Sequence, residues 1–409
     1  MKSISLLVFS CFLIITTAHA QTTIAVNNAR VWTGNAAQPW AEALVTENEM
    51  IIYVGSNIGA KKYIKASTKI IDAHQNMVTP GFIDSHVHFI LGGLDLVSVQ
   101  LRDVTSKEMF VQRIADFAKT IPANQWILSG TWDHTLWGGE LPQVTWIDAV
   151  TPNNPVFISR SDGHMYLANT AAMKQPYADN KRDKGLFIRP LDSIYHFVSH
   201  ADKAGLQVMV HAIGDDAINK QLDIFERVAK ENGDKDRRFR IEHAQHIDPA
   251  DIPRFAALKI IPSMQPYHAI DDGRWALKCI GPLRAKTTYA FKSLIKAGAK
   301  PAFGSDWYVA PPSPMMGIYA AVTRRTLDDK NPEGWIPEQK ISLEEALKAY
   351  TQNPAFSSFD EKRKDSIEVG KLADFVLLDT DLIKISPEKI REVKVMTTVV
   401  GAKVVFEKW

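Results

Sequence analysis

The sequence predicts an α/β protein with a parallel strand–helix core and a smaller β unit assembled from both chain ends. Three observations carry this. Strand-like and helical runs alternate through the middle of the chain, and the two ends share a strand texture. Histidines and one aspartate also fall at the ends of successive strand candidates. The chain has 409 residues, 45% apolar and 23% charged, so disorder and coiled coil are excluded as its main state. A net charge of +2 leaves no basic excess to hold a nucleic acid.

The elements follow in chain order. Lys2 precedes the apolar run Ile4–Ile15, and Ala18-His19-Ala20 forms a small-x-small cleavage pattern. The run is shorter than the ~20 residues of a membrane span, so residues 1–20 read as a cleaved signal. The mature chain is then exported, periplasmic or extracellular, with no membrane attachment. Removing Cys11 leaves Cys279 alone, so no internal disulfide is expected. Residues 21–79 hold the strand candidates Thr23–Asn27, Ala43–Val45 and Met50–Gly55. Residues 360–409 hold Ala373–Asp379 and Val399–Phe406. Neither end can bury a sheet alone, so the two are predicted to pair into one composite β domain around residues 80–359.

In the middle, Leu206–His211 reads as a buried strand. A helix over Ala217–Lys230 follows, with Ile218, Leu222, Phe225 and Val228 on one face. Next come the strand Arg238–His243, a helix over 249–258, the strand Lys259–Gln265, a helix over Lys286–Ala297 and the strand Lys300–Asp306. His86 and His88 are two apart, so in an extended segment both imidazoles face one side. His211, His243 and Asp306 end three further strands. About one βα unit separates the first two, and about two units separate the last pair. Such strand ends converge on one rim of a barrel, where active sites sit. A lone histidine at a strand end is ordinarily a core or surface residue. Four imidazoles and a carboxylate in this pattern form a nitrogen and oxygen ligand set for a divalent metal such as Zn²⁺.

The stretches Gly81-Phe-Ile-Asp-Ser-His-Val-His, Val210-His-Ala-Ile-Gly-Asp, Ile241-Glu-His-Ala-Gln and Phe303-Gly-Ser-Asp-Trp together resemble the amidohydrolase superfamily. Within it they resemble the amidohydrolase 3 branch, which holds N-substituted formamide deformylase and exoenzyme-regulatory-like proteins. The resemblance covers nearly all of the mature chain. It implies a TIM-like (β/α) barrel of the metal-dependent hydrolase type with a β-sandwich built from the termini. It also implies hydrolysis of C–N bonds other than peptide bonds, with one or two divalent ions. By position, His86 and His88 match first-strand ligands, and His211 and His243 match those of strands five and six. Asp306 matches the last-strand carboxylate, which ligates metal and shuttles the proton. The chemistry is coherent, since a divalent ion acidifies water and a neighbouring carboxylate can pass the proton to a leaving amine.

The sequence departs from that family in one place. Relatives carry a long stretch after Asp-Gly-His, including a lysine that can bridge two metals. Here Ala168-Asn-Thr-Ala-Ala-Met-Lys-Gln-Pro-Tyr-Ala-Asp runs its two flanks together. The barrel is therefore expected to lack strands, with an inserted region at about 122–190. Trp126–Gly130 and Pro155–Arg160 are strands of either the barrel or that insertion. Trp132, Arg160, His164, His268 and Trp307 are candidate contacts for a small amide-like substrate, with packing as the structural alternative. Three functions compete: a C–N hydrolase, a catalytically impaired remnant or binding protein, and a lactonase or phosphotriesterase-like enzyme. A barrel lacking strands can leave an open edge, reclose or borrow from another copy, so a homo-oligomer is among the expectations.

Overall fold

The computed structural model describes residues 23–162, 165–173 and 190–408. The signal segment and His164 lie outside the described residues. No helix among those described is long and apolar enough to cross a membrane.

The two chain ends meet in one sheet. Six strands run in the order Lys403–Glu407, Val395–Val400, Phe375–Leu378, Met77–Pro80, Arg30–Trp32 and Trp40–Ala41. Phe375 pairs with Pro80 and Leu377 with Val78, antiparallel, so the late strand closes on the early one. A second sheet runs Met50–Gly55, Ala43–Glu47, Thr23–Asn27 and Lys69–Asp72. Alternate residues of both sheets (Ile24, Val26, Leu44, Val78, Phe375 and Val399 among them) share one buried cluster.

The central sheet has four parallel strands in sequence order: Met209–Ala212, Arg240–His243, Ile261–Met264 and Ala302–Phe303. The connecting helix Asp215–Glu231 buries Ile218, Leu222, Phe225 and Val228, the stripe its spacing predicts. Phe225 stacks on Phe239 at 4.4 Å, which seats the helix on the sheet. A fifth extended segment joins the far side. Ser85 N–H donates to Phe303 O, Asp306 N–H to His86 O and His88 N–H to Trp307 O. Residues 85–88 thus lie parallel to the end of the Ala302–Phe303 strand, as the Val87–Trp307 bridge shows.

Two expectations change here. The strand at His211 is not buried: Leu206 is 62% and Met209 55% exposed. Among the described residues that strand has a neighbour on one side only, so its apolar side chains lack the cover a barrel interior gives. Second, Ile127–Trp132 and Val156–Arg160 take no place in the central sheet. They pair with each other in parallel, with Tyr166–Ala168 antiparallel on the outside. This lobe has its own core of Phe110, Ile114, Ile127, Ile147, Val156 and Ile158. The buried amide of Asn169 ties it together, accepting from Val156 N and donating to Thr151 Oγ1 and Asn154 O.

Candidate metal centre

The extended segment at 85–88 brings His86 and His88 to one side, as the two-residue period requires. Opposite them stands Asp306, just beyond the Ala302–Phe303 strand. Asp306 Oδ1 lies 3.2 Å from His86 Nε2 and 3.1 Å from His88 Nε2. His86 Nε2 and Asp306 Oδ1 are both buried and make no well-directed hydrogen bond. The His86 ring lies 4.9 Å from the His243 ring, which lies 4.4 Å from His211. All five residues expected to ligate metal therefore fall in one continuous group, with His211 at its exposed margin.

Backbone conformation completes the convergence. Register aligns His211 with Glu242 and Ala212 with His243, so regular alternation would turn Glu242 and His243 to opposite faces. His243 instead has φ 72° and Ala244 φ 43°, left-handed values that end the strand. Glu242 and His243 then both face His86. Asp306 is likewise left-handed, at φ 62°. Non-glycine residues in this region cost about 1–3 kcal/mol and persist where surrounding contacts hold them, often at functional sites.

Hydrogen bonds orient the imidazoles. His86 Nδ1–H donates to Glu242 Oε2 at 2.7 Å, which turns Nε2 toward Asp306. Glu242 is clamped in turn by Arg240, whose Nε donates to Oε1 at 2.8 Å. Arg240 also reaches Ser85 O at 2.6 Å and Ser263 Oγ at 2.9 Å. His243 Nδ1–H donates to Gln265 Oε1 at 2.8 Å. Burial holds His243 down to about 3, so the ring is neutral and its Nε2 carries the lone pair a cation needs. Burial opposes charge on His86, but Asp306 and Glu242 outweigh it and raise His86 to about 9. Burial would raise Asp306, but the hydrogen bond with His268 and the close imidazoles of His86 and His88 hold it far below the ordinary carboxylate range. His86 and Asp306 face each other as an imidazole–carboxylate ion pair, and a divalent cation would take the place of the imidazole proton. The residues fit such an ion, because His86, His88 and Asp306 present ligand atoms all within 4.8 Å of one another.

The remaining candidates separate. His268 Nε2 lies 3.0 Å from Asp306 Oδ2, so it grips the far oxygen of the carboxylate. Trp307 lays its ring over Gly92, 6.2 Å from the Phe89 ring, and offers its carbonyl to His88 N–H. Arg160 is taken up by Asp162 within the lobe sheet, Nε to Oδ1 at 2.8 Å. Trp132 is not a substrate contact: it is 1% exposed in the lobe core, with Nε1–H on Ile158 O at 3.3 Å. An indole beside polar residues reads as a binding surface until the lobe's own core is known.

Glu242 and Arg240 escaped the sequence reading. Their signal was present, since two opposite charges at i and i+2 on an otherwise apolar strand must satisfy each other when buried. Glu242→Gln should weaken divalent-metal affinity by about tenfold or more, the usual effect of losing an outer-shell partner. Metal affinity equal to the parent's in a competition titration would remove Glu242 from this role.

The model of the amidohydrolase family (Amidohydro_3) matches in two pieces, residues 69–185 and 167–406. The protein LONG AFTER FAR-RED 3 of Arabidopsis thaliana is 30% identical over 533 aligned positions, covering 93% of this chain and 91% of the relative. That alignment is longer than this chain, so stretches of the relative face gaps here, and the family model breaks between residues 167 and 185. N-substituted formamide deformylase of Arthrobacter pascens is 27% identical over 75% of this chain and 56% of its own length. Among solved structures, an uncharacterized metal-dependent hydrolase from Pyrococcus horikoshii superposes with a TM-score of 0.72 at 21% identity. It covers 90% of this chain and 99% of its own.

Proposed function

Because this chain belongs to the amidohydrolase family, we propose that it is an exported metal-dependent hydrolase that cleaves a non-peptide C–N bond of a small amide, formamide or cyclic amide. The observation that carries the reading is the approach of His86 and His88 to Asp306, with the His243 ring beside His86 and the His211 ring beside His243. His86, His88, His243 and Asp306, with His211 at the margin, would hold one divalent ion, Zn²⁺ by ligand type. When bound, that ion supplies Lewis-acid chemistry toward water and a substrate carbonyl.

The chain's own groups do the rest. Asp306 accepts the proton that water loses as its oxygen bonds to the carbonyl carbon. The same carboxylate returns the proton to the nitrogen as the C–N bond breaks, leaving a carboxylic acid and an amine. His268 holds Oδ2 so that Oδ1 faces His86 and His88. His243, neutral and fixed by Gln265, supports the same face without adding charge. The C–N preference follows the similarity to N-substituted formamide deformylase, and export follows the signal-like first residues.

A second reading, a catalytically impaired remnant, is favoured by the His211 strand, which among the described residues has one neighbour only and leaves an expected ligand at an exposed sheet edge. Metal analysis by plasma mass spectrometry separates the two. The chelator-washed chain, reloaded with Zn²⁺, is expected to retain about one ion per chain, as a tetrahedral site binds. It should also hydrolyse members of a panel of N-substituted formamides and cyclic amides, and lose that activity on chelation. Metal retention without turnover on this panel or on lactones and phosphotriesters selects the remnant. No retained metal overturns the metal-dependent reading.

A further inference from the structure

Behind the ligand group lies a polar network that the proposed chemistry does not use. Asp272 ends the helix Pro266–Asp272, which carries His268 one turn earlier on the same face. Asp272 Oδ2 accepts from Gln245 Nε2 at 2.8 Å and from the Tyr289 hydroxyl. Tyr289 N–H in turn donates to Gln245 O at 2.7 Å. Gln245 is thus held by both its side chain and its backbone, two residues after His243. The segment that holds it is itself fixed. Arg324, fully buried, donates to Tyr289 O at 3.0 Å, Thr288 O at 3.3 Å and Trp335 O at 2.7 Å. His246 Nδ1 pairs with Thr288 Oγ1 at 2.9 Å, closing the turn from its far side.

The left-handed pair His243–Ala244 needs such a clamp, because its conformation is unfavourable without tertiary contacts. We propose that Asp272 is a positioning residue that aims His243 and His268 together. It does so by tying the turn after the His243 strand to the helix that presents His268 to Asp306. The proposal rests on the metal-site reading for its consequence, but the aim of the two rings can be measured without metal.

The test uses the full chain labelled with ¹⁵N-histidine, metal-free, observed by long-range imidazole ¹H–¹⁵N correlation. In Asp272→Asn the His243 and His268 signals should move, while His74, in the exposed turn between Lys69–Asp72 and Met77–Pro80, should not. Co²⁺ affinity should fall about tenfold and its visible spectrum should change. The exchanged pair Asp272→Asn with Gln245→Glu restores a donor facing an acceptor and should recover both signals and affinity. A lower melting temperature with unmoved imidazole signals would show a merely structural role and overturn the proposal. Should Asp272→Asn fail to fold, Gln245→Met cuts the tie from the loop end. His243 should then move while His268 stays, and an unmoved His243 overturns the proposal. Failure of the parent to bind Co²⁺ would count against the metal reading alone, since the imidazole shifts still decide the positioning.

Discussion

Asp306→Asn lowers kcat by about 10²–10⁴-fold at saturating metal, the range that general acid–base catalysis spans. The substitution keeps the volume of a side chain that is 4% exposed, so packing is preserved. It replaces one carboxylate oxygen by an NH₂ group. Whichever way the amide turns, a donor then faces either His268 Nε2 or the His86 and His88 nitrogens, where an acceptor stood. The amide cannot take a proton from water or return it to nitrogen. Metal content is measured alongside kcat, so that loss of a ligand is distinguished from loss of the proton carrier. Turnover near the parent's with full metal occupancy would assign the proton transfer to another group.

Gly304→Ala should remove the site by a different route. A Cβ at Gly304 would stand 2.5 Å from His86 N, 2.8 Å from Asp84 Oδ1 and 3.1 Å from His86 Cα. Two of these are backbone atoms, which cannot swing aside as a flexible side chain would. Asp84 is also engaged, accepting from Ser305 N at 2.8 Å and from His86 N at 3.2 Å. Hydrogen bonds from Ser85 to Phe303 and from Asp306 to His86 hold the two segments together on either side of the glycine. One methyl group therefore forces apart the segments that carry His86, His88 and Asp306. We expect destabilisation of about 1–3 kcal/mol, as for other overpacked positions, together with loss of bound metal. Denaturant unfolding and metal analysis read these two effects. An unchanged midpoint with parental metal content would show that the segments can part without cost.

The helix Asp215–Glu231 was legible because its buried residues recur at helical spacing, and the expected bounds 217–230 differ only at the ends. His86 and His88 were legible because a period of two places them on one side. The parallel strands at His211 and His243 were legible because apolar residues alternate before each histidine, Val208 and Val210 before the first and Phe239 and Ile241 before the second. Glu242 was overlooked because alternation assigns it to the face opposite His243, and only the left-handed backbone at His243 puts both beside His86. Trp132 was placed at a binding surface because its neighbours in sequence are polar, whereas its neighbours in space are the lobe core.

The sequence by itself determined the α/β class, the histidine-bearing strand ends and the break in the family pattern after Asp162. These depend on local periodicity and residue chemistry, which a linear chain displays. Only the tertiary structure decided that, among the described residues, the His211 strand has a neighbour on one side and that the segments at 127–132 and 156–160 form a separate lobe. It also decided that Arg240, Glu242, Gln265 and His268 orient the imidazoles and Asp306. Periodicity says which side of an element is apolar, but not which other element covers it. Burial and hydrogen-bond partnership are properties of that covering, set by contacts between residues far apart in the chain.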